Sequence, residues 1–355
     1  MTEEKDLSLR PAPVAPVKDD SYSSRLFQGI PGIECSRSGR LWAAFYSGGE
    51  TEGPDNYVTL VTSEDGGKNW SDLKYVIDPP GQVRAFDPCL WHDPTGRLWL
   101  FWSQSYTHYD GRAGVFASIC DNSDSANPVW LESRRIADGI MMNKPTVLAN
   151  GEWLLPIAVW EFKQSPINDL PEERYSNVYH SADQGKTFQK IGFADVPNRE
   201  YDEHMIVERK DNSLWMLVRT TYGIGASSSY DGGITWTKGI QSPLGGPGSR
   251  FFIRRLQSGK LLLVNHYMYR RRSHLTAMLS EDDGLSWYGH LLLDERVQVS
   301  YPDGVQAEDG RIYIIYDFER KDSKEILLAS VTEEDIINGK IVSDKSFLKQ
   351  IVNKA

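Results

Sequence analysis

The chain has 355 residues, of which 40% are hydrophobic and 25% charged, and this composition is that of a folded globular protein. Its formal net charge of −10 argues against nucleic acid or an anionic membrane surface as a partner. A negatively charged substrate would therefore need a local basic pocket. The three scattered cysteines, Cys35, Cys89 and Cys120, lack metal-ligand spacing, so we predict buried thiols rather than disulfides or a structural zinc site. The sequence shows no other cluster with metal-ligand spacing, and we predict no catalytic metal and no cofactor.

The N-terminal residues 1–20 are polar and contain prolines, without the apolar stretch of a signal peptide. No run of 18 apolar residues is present to span a membrane. We therefore predict a polar N-terminal segment (1–20) followed by a single domain (21–355). We also predict a cytoplasmic location, unless a leader has been removed.

The strongest periodicity is a short apolar run that follows a glycine or asparagine turn and occurs six times. The turn residues are separated by 57, 55, 61, 47 and 51 positions along the chain. Each run is too short for a helix and is rich in aromatic and β-branched residues, so we predict a strand at each. The six runs are residues 41–45, 98–102, 153–155, 214–218, 261–264 and 312–316.

A second repeated pattern, Ser-x-Asp-x-Gly-x-x-(Trp/Phe), occurs four times. The Ser and Asp side chains can bond to nearby backbone, the glycine allows a tight turn, and the aromatic ring covers the base of a hairpin. The pattern therefore predicts a structural turn rather than a catalytic group. Complete copies are residues 63–70, 181–188, 229–236 and 280–287; a decayed copy spans 120–130, and the sixth repeat has none.

Six repeats of about 50 residues, each made of antiparallel strands, are typical of an all-β fold, a six-bladed β-propeller with four-stranded blades. In this fold the inner strands line a central channel, and loops at one end form the site. We place the strand that follows Gly310 innermost in the last blade. We also expect an N-terminal segment to pair with the last blade and close the ring, because an open sheet edge invites aggregation.

Several loops between the predicted strands are more polar than a scaffold needs. Because alternate strand residues point to opposite faces, only some of these side chains can share one site. We take them as the source of candidate functional residues. The segments are 48–55, 82–88, 201–208 with Arg219, 270–276, 300–304 and 316–319.

From about residue 27 to residue 316, these segments and the four octapeptides (Asp boxes) resemble the sialidase, or neuraminidase, superfamily. The resemblance implies a nucleophile pair, Tyr301 and Glu203, and a general acid, Asp55. It also implies that Arg219 and Arg272 hold a substrate carboxylate. A neutral tyrosine can approach a carbon that carries a carboxylate, but its pKa near 10 requires an adjacent base such as Glu203.

The resemblance supplies four further candidates for substrate binding. Arg84 and Asp87 stand in an Arg-x-x-Asp-Pro turn that is similar to a pocket-lining turn of the family. His204 follows the predicted base, and we assign it to the channel rather than to acid–base chemistry. Asp317 stands where the family keeps an acidic residue that orients its first arginine.

Two positions depart from the family pattern, and both concern this first arginine. It should precede Ile-Pro, where the chain has Gly29, and Asp317 replaces the usual glutamate. Arg25 and Arg84 are the candidates to replace the missing side chain.

We predict an exo-acting, retaining glycoside hydrolase that removes a terminal, carboxylate-bearing sugar from an oligosaccharide or glycan. Carbohydrate is the only partner class predicted, and Trp91 or Trp160 is the candidate platform for a sugar ring. One alternative is a lyase acting on uronate polysaccharides, with Tyr301 or His204 as base. Another is a non-catalytic propeller that binds glycans or proteins. Clustering of the nucleophile pair and general acid at one end of the channel would favour an enzyme.

Overall fold

A computed structural model describes residues 7–160 and 170–355 of the chain. In these residues 25 strands form six antiparallel sheets, which are the blades of a β-propeller. The predicted all-β, six-bladed fold is confirmed. Each blade uses four consecutive strands, and the first blade gains a fifth at its outer edge.

The strands follow one another from blade to blade in chain order. Blade 1 has β1 (Ala15–Pro16), β2 (Phe27–Cys35), β3 (Leu41–Gly48), β4 (Tyr57–Ser63) and β5 (Tyr75–Ile77). Blade 2 has β6 (Val83–His92), β7 (Leu98–Tyr106), β8 (Gly114–Cys120) and β9 (Arg134–Asp138). Blade 3 has β10 (Thr146–Val147), β11 (Trp153–Ala158), β12 (Ser176–Ser181) and β13 (Gln189–Ala194).

The second half of the ring repeats this order. Blade 4 has β14 (Met205–Glu208), β15 (Leu214–Thr220), β16 (Gly223–Ser229) and β17 (Ile240–Gln241). Blade 5 has β18 (Phe252–Arg255), β19 (Leu261–His266), β20 (Leu275–Ser280) and β21 (Tyr288–Asp294). Blade 6 has β22 (Val299–Gln306), β23 (Ile312–Phe318), β24 (Glu325–Val331) and β25 (Phe347–Lys354). A helix α1 (Glu333–Asn338) precedes β25, and 3₁₀ turns span Leu7–Leu9, Asp20–Tyr22 and Pro171–Glu173. None of the described helices has the length and hydropathy that a membrane span requires.

The six apolar runs found in the sequence are the second strands of the blades, not the innermost ones. In blade 6, β22 is innermost and β23, which follows Gly310, is second. The placement of the Gly310 strand next to the channel was therefore wrong by one strand. The six runs within the second strands are apolar because neighbouring blades cover them on both faces, whereas innermost strands also carry polar residues for the channel.

The Asp boxes lie in the turns between third and fourth strands and act as structural turns. In the blade 3 box, the Ser181 hydroxyl donates to Asp183 Oδ1 and accepts from the Gly185 amide, both at 2.9 Å. Asp183 also accepts from the Thr187 amide at 2.9 Å. Blade 6 lacks a box, and α1 takes its place. Asp335 of α1 there accepts hydrogen bonds from the Val342 and Ser343 amides.

The ring closes without a shared strand, so the prediction that an N-terminal segment completes the last blade was wrong. Instead β1 pairs with β5 at the outer edge of blade 1. Prolines at positions 11, 13 and 16 explain this result, because proline cannot donate to a sheet ladder and suits only a short edge pairing. Side chains of blades 1 and 6 form the seam, with Phe45 and Ile33 packed in one cluster with Ile315 and Leu328.

Buried charged side chains connect neighbouring blades inside the channel. The Lys144 ammonium lies 3.2 Å from both Glu34 Oε2 and Asp303 Oδ2 and donates to two backbone carbonyls at 2.6 Å. The Arg250 guanidinium contacts Asp303 and donates to Asn143 Oδ1 at 2.7 Å. These pairs connect innermost strands and their preceding loops, and they form the floor below the candidate site.

Candidate active site

A pocket of ≈450 Å³ opens above this floor, at one end of the channel. Its lining includes five charged or phenolic side chains that meet at its centre: Tyr301, Glu203, Arg219, Arg272 and Arg320. Four of the five were predicted from the sequence. The pocket size lies within the range of about 300–1,000 Å³ that is common for small-ligand sites.

Three equivalent bulges direct side chains into this pocket. The innermost strands β2, β6 and β22 each change register at an Xxx-Pro step. The residues before the prolines, Ile30, Asp87 and Tyr301, have positive φ angles of 54°, 50° and 55°. Bulges of this kind redirect a side chain, and a positive φ in a non-glycine residue is uncommon outside such sites. All three side chains line the pocket.

Tyr301, Glu203 and Arg219 form one hydrogen-bonded group. The Tyr301 hydroxyl donates to Glu203 Oε1 at 2.5 Å. Arg219 Nη1 donates to the same carboxylate oxygen at 2.7 Å and to the tyrosine oxygen at 2.9 Å. The second oxygen, Glu203 Oε2, is buried and has no hydrogen-bond partner among the described residues. The carboxylate is therefore placed to take the phenolic proton.

The backbone that carries Glu203 is held in an unusual conformation. Tyr201, Asp202 and Glu203 are consecutive non-glycine residues with φ angles of 60°, 55° and 43°. Asn143 supports this turn, since its amide nitrogen donates to the carbonyls of Glu203 and His204 at 2.8 and 3.0 Å. Strain of this kind persists only where the surroundings impose it, and it is concentrated at functional sites.

Burial and the nearby charges shift the pKa of the Tyr301 hydroxyl in opposite directions. Burial, followed by the negative charge of Glu203, raises its pKa above the ordinary value of 10, and Arg219, Arg320 and Arg272 oppose that rise. The hydroxyl is therefore protonated at rest and needs Glu203 as its base during a reaction.

Arg320 lies beside this group and was missed in the sequence analysis. Its Nε donates to Asp317 Oδ2 at 2.9 Å, and its Nη2 donates to Ser300 Oγ at 3.0 Å. Its guanidinium carbon lies 4.3 Å from the centroid of the Tyr301 ring. Asp317 is fully buried and also accepts from the Ile30 amide at 2.9 Å. Asp317 thus orients an arginine, as the family resemblance implied, but that arginine comes from the loop after β23.

Gly29 provides the space that Arg320 occupies. A Cβ atom at position 29 would lie 2.8 Å from Arg320 Cγ and Cδ, which is closer than side chains approach. The two candidates for the missing arginine lie elsewhere. Arg25 bonds to Gln28 and Asn353 at the blade 1–6 seam, outside the pocket.

Arg272 is the least engaged of the three pocket arginines. Its Nη2 donates to the Gly248 carbonyl at 3.0 Å, and its guanidinium carbon lies 5.4 Å from the Tyr301 ring. By contrast, Arg219 pairs with Glu203 and Glu200. Arg272 therefore has N–H donors that no described side chain occupies.

Asp87 lines the pocket as a desolvated acid. It is 3% exposed, and among the described residues no hydrogen bond reaches its carboxylate. Burial raises its pKa to about 8; Arg84 opposes this shift, while the charges of Glu52 and Glu203 add to it. At neutral pH this carboxyl group is mainly protonated, which is the state that a general acid requires.

Two further predicted residues, Asp55 and Arg84, lie outside the pocket lining. Asp55 is exposed on the loop between β3 and β4, with its carboxylate next to Gly49. Arg84 is fully buried, donates to Asn56 Oδ1 at 3.3 Å and stacks on the ring of Phe86.

His204 is also buried away from the pocket, and its Nε2 bonds to the Asn177 carbonyl at 2.8 Å. Burial lowers the pKa of His204 to about 4, so its ring is neutral near pH 7. Of the two candidate platforms, Trp91 is buried in the core. Trp160 lines the pocket and stacks on Tyr109 with ring centroids 5.3 Å apart.

Comparison with known proteins gives the family. A family model described as "BNR repeat-like domain" matches residues 39–314, which is more than half of the chain. The chain belongs to the BNR repeat-like domain family. No curated protein sequence matches it.

Solved structures of other propellers resemble this BNR repeat-like protein. A Hadza microbial sialidase shares 18% identity with a TM-score of 0.66, covering 85% of this chain and 66% of that one. The intramolecular trans-sialidase from Ruminococcus gnavus shares 14% identity with a TM-score of 0.64, covering 92% and 98%. The alpha-L-arabinanase from Penicillium chrysogenum shares 12% identity with a TM-score of 0.59, covering 92% and 98%. At these identities the likeness establishes a fold that is shared with glycoside hydrolases.

No group of three or more His, Cys, Asp or Glu side chains is arranged to hold a metal ion in residues 7–160 and 170–355. The acidic residues of the pocket are instead interleaved with arginines. In this member of the BNR repeat-like family, the side chains that line the site include phenol, carboxyl, guanidinium and imidazole groups.

Proposed function

We propose that this protein is an exo-acting, retaining glycoside hydrolase that cleaves a terminal, carboxylate-bearing sugar. The observation that carries the proposal is the contact between the Tyr301 hydroxyl and Glu203 Oε1, with Arg219 bonded to both. A buried phenol with an adjacent carboxylate base is an activated nucleophile. The pocket at one end of the channel is where we place the terminal sugar.

The reaction would proceed through a glycosyl–tyrosine intermediate. The Tyr301 oxygen attacks the anomeric carbon while its proton passes to Glu203, and the glycosidic C–O bond breaks. Asp87 gives its proton to the departing oxygen. Water then attacks the same carbon and returns a proton to Asp87, and Tyr301 leaves with the proton held by Glu203. Two displacements at one carbon retain its configuration.

The three arginines support a carboxylate on the substrate. Arg219, Arg272 and Arg320 all lie around the Tyr301 ring, and an arginine fork matches the geometry of a carboxylate. This cluster stands against an overall charge of −10, so it is a local feature rather than a consequence of composition. A neutral phenol is also the nucleophile that such a substrate would tolerate.

Asp87 replaces Asp55 as the general acid in this proposal. Asp87 lines the pocket with a raised pKa of about 8, whereas Asp55 is exposed and outside the lining. The assignment of Asp55 as general acid from the sequence stays a prediction, which paired Asp87→Asn and Asp55→Asn variants test.

A panel of nitrophenyl glycosides tests the function directly. We expect release of nitrophenol from a keto-acid or uronic acid glycoside, no release from neutral glycosides, and a product whose first-formed anomer, seen by proton NMR, keeps the substrate configuration. Inverted product would contradict the Tyr301 mechanism. An unsaturated sugar product would show that the protein is a lyase instead, and binding of acidic sugars without any cleavage would identify a non-catalytic propeller.

The Gly29→Ala substitution should weaken substrate binding indirectly, because the new methyl group contacts Arg320 and not the substrate. The new methyl group would displace the Arg320 side chain, so KM for the acidic glycoside should rise about tenfold while kcat falls less. Gly53→Ala is the matched control, since nothing lies within 4 Å of a Cβ at that position. Unchanged KM in Gly29→Ala would mean that Arg320 does not bind the substrate.

A further inference from the structure

A second cavity of ≈470 Å³, here called the side pocket, adjoins the catalytic pocket over blade 6. Phe27, Arg271, Val297 and Lys321 line it, together with three residues that also line the catalytic pocket. The shared residues are Glu52, Arg272 and Arg320. These three residues therefore lie between two cavities of similar volume.

Glu52 and Arg320, which lie between the two cavities, form a partly exposed ion pair. Arg320 Nη1 lies 3.3 Å from Glu52 Oε1, and the Glu52 side chain is 37% exposed. Glu52 belongs to the loop between β3 and β4, whereas Asp317 and Ser300 hold Arg320 from beneath. A ligand carboxylate could replace Glu52 at Arg320 without displacing the buried contacts.

The side pocket carries an excess of positive charge. Four cations line it, and two carboxylates, Glu52 and Asp322, oppose them. Among the described residues, no hydrogen bond or ion pair engages the side chains of Arg271 and Lys321. In a chain with a net charge of −10, two uncompensated cations in one cavity are a local concentration of charge.

The backbone around both cations is fixed by internal bonds. Arg271 has a φ of 58°, and the following residue accepts a hydrogen bond from the Gln298 amide at 2.8 Å. Lys321 lies in a turn in which the Asp322 and Lys324 amides donate to the Glu319 carbonyl at 3.1 and 2.7 Å. The two side chains therefore project from ordered turns on blades 5 and 6, on either side of the cavity.

We propose that the side pocket binds a second anionic group of the substrate, carried by the sugar next to the one that is cleaved. This inference rests on the proposed function and narrows the substrate to an acidic glycan in which two adjoining sugar units carry negative charges. Arg271 and Lys321 attract the anionic group, while Val297, which is half exposed, offers apolar surface to the sugar ring. The catalytic pocket holds the terminal sugar at Arg219, Arg272 and Arg320.

Two disaccharides that differ only in a sulfate on the adjoining sugar test this proposal. Titration calorimetry with the Tyr301→Phe protein, which should bind without turnover, should give at least tenfold tighter binding of the sulfated disaccharide. In the same background, the Arg271→Ala/Lys321→Ala pair of substitutions should remove this preference and leave binding of the unsulfated disaccharide within twofold. Added salt should weaken the sulfated ligand more.

Arg270→Ala is the matched control, because Arg270 is an exposed cation of the same loop that lines neither cavity. It should leave the preference intact. The proposal is overturned if both disaccharides bind equally, if neither binds, or if Arg270→Ala has the effect of the double substitution. Binding with the sulfate preference but no cleavage by the unsubstituted protein would contradict the hydrolase function alone. Cleavage without any dependence on the sulfate would contradict only the side-pocket proposal.

Discussion

Replacing Tyr301 by phenylalanine should lower kcat on the preferred acidic glycoside by about a thousandfold or more. The substitution removes the only atom that can bond to the anomeric carbon in the proposed mechanism and leaves the ring packed between Arg272 and Arg320. Steady-state kinetics measure this loss. Calorimetry with the released acidic sugar should show affinity within a few-fold of the unsubstituted protein.

A second buried tyrosine provides the control for Tyr301→Phe. Tyr46 lines the same pocket and is 1% exposed, but no hydrogen bond joins it to Glu203. Tyr46→Phe should retain kcat within about threefold. A fluorinated glycoside that traps the intermediate should add its mass to the peptide containing Tyr301. A kcat for Tyr301→Phe within tenfold of the original would remove Tyr301 from the role of nucleophile.

Replacing Asp87 by asparagine should lower kcat/KM by about 10²–10⁴-fold for a natural leaving group that needs a proton. The loss should be much smaller for a nitrophenyl glycoside, whose leaving group departs as an anion. Because burial raises the pKa of Asp87 to about 8, kcat/KM of the unsubstituted enzyme should fall above that pH. The variant should lack this alkaline limb. Asp55→Asn, made in parallel, should have little effect on either substrate, and the opposite pattern would return the role of acid to Asp55.

The Asp87→Asn substitution can also be tested through the pH dependence of protein stability, without measuring turnover. Between about pH 4 and pH 8 the folded protein holds a proton on Asp87 that the unfolded chain, with the ordinary pKa of 3.8, has lost. The free energy of unfolding should therefore decline as pH rises through this window. In Asp87→Asn this contribution is absent, so its Tm relative to the original protein should increase from about pH 5 to pH 8. An unchanged Tm difference would mean that Asp87 is not desolvated.

The sequence predicts most of the scaffold because the residues that specify each strand and each turn are close together in the chain. An Asp box specifies its own turn, and an apolar run specifies its own strand. The bulges could also have been predicted from the sequence, because each proline lies eight residues before the glycine of the turn that leads into the next strand. These pairs are Pro31 and Gly39, Pro88 and Gly96, and Pro302 and Gly310.

The site could be predicted only in part because two of its features depend on contacts between distant residues. Tyr301, Glu203, Arg219 and Arg272 stand in recognisable segments, and the structure brings them together. Arg320 could not be found in this way, because the space that it fills is set by Gly29, 291 positions earlier in the chain. The exposed position of Asp55 follows from the path of its loop, which no local pattern in the sequence specifies.

The closure of the ring without a shared strand links the integrity of the propeller to the pocket. At the seam the Gln28 backbone N–H of blade 1 donates to the Arg320 carbonyl of blade 6 at 3.0 Å, so transient opening there would carry Tyr301 and Arg320 together away from Glu52 of blade 1. Local openings of this kind cost less than global unfolding. A substrate that contacts Arg320 of blade 6 and Asp87 of blade 2 would span the seam, and its binding energy would oppose the opening. In this propeller, a bound substrate would thus help to hold together a ring that no shared strand closes.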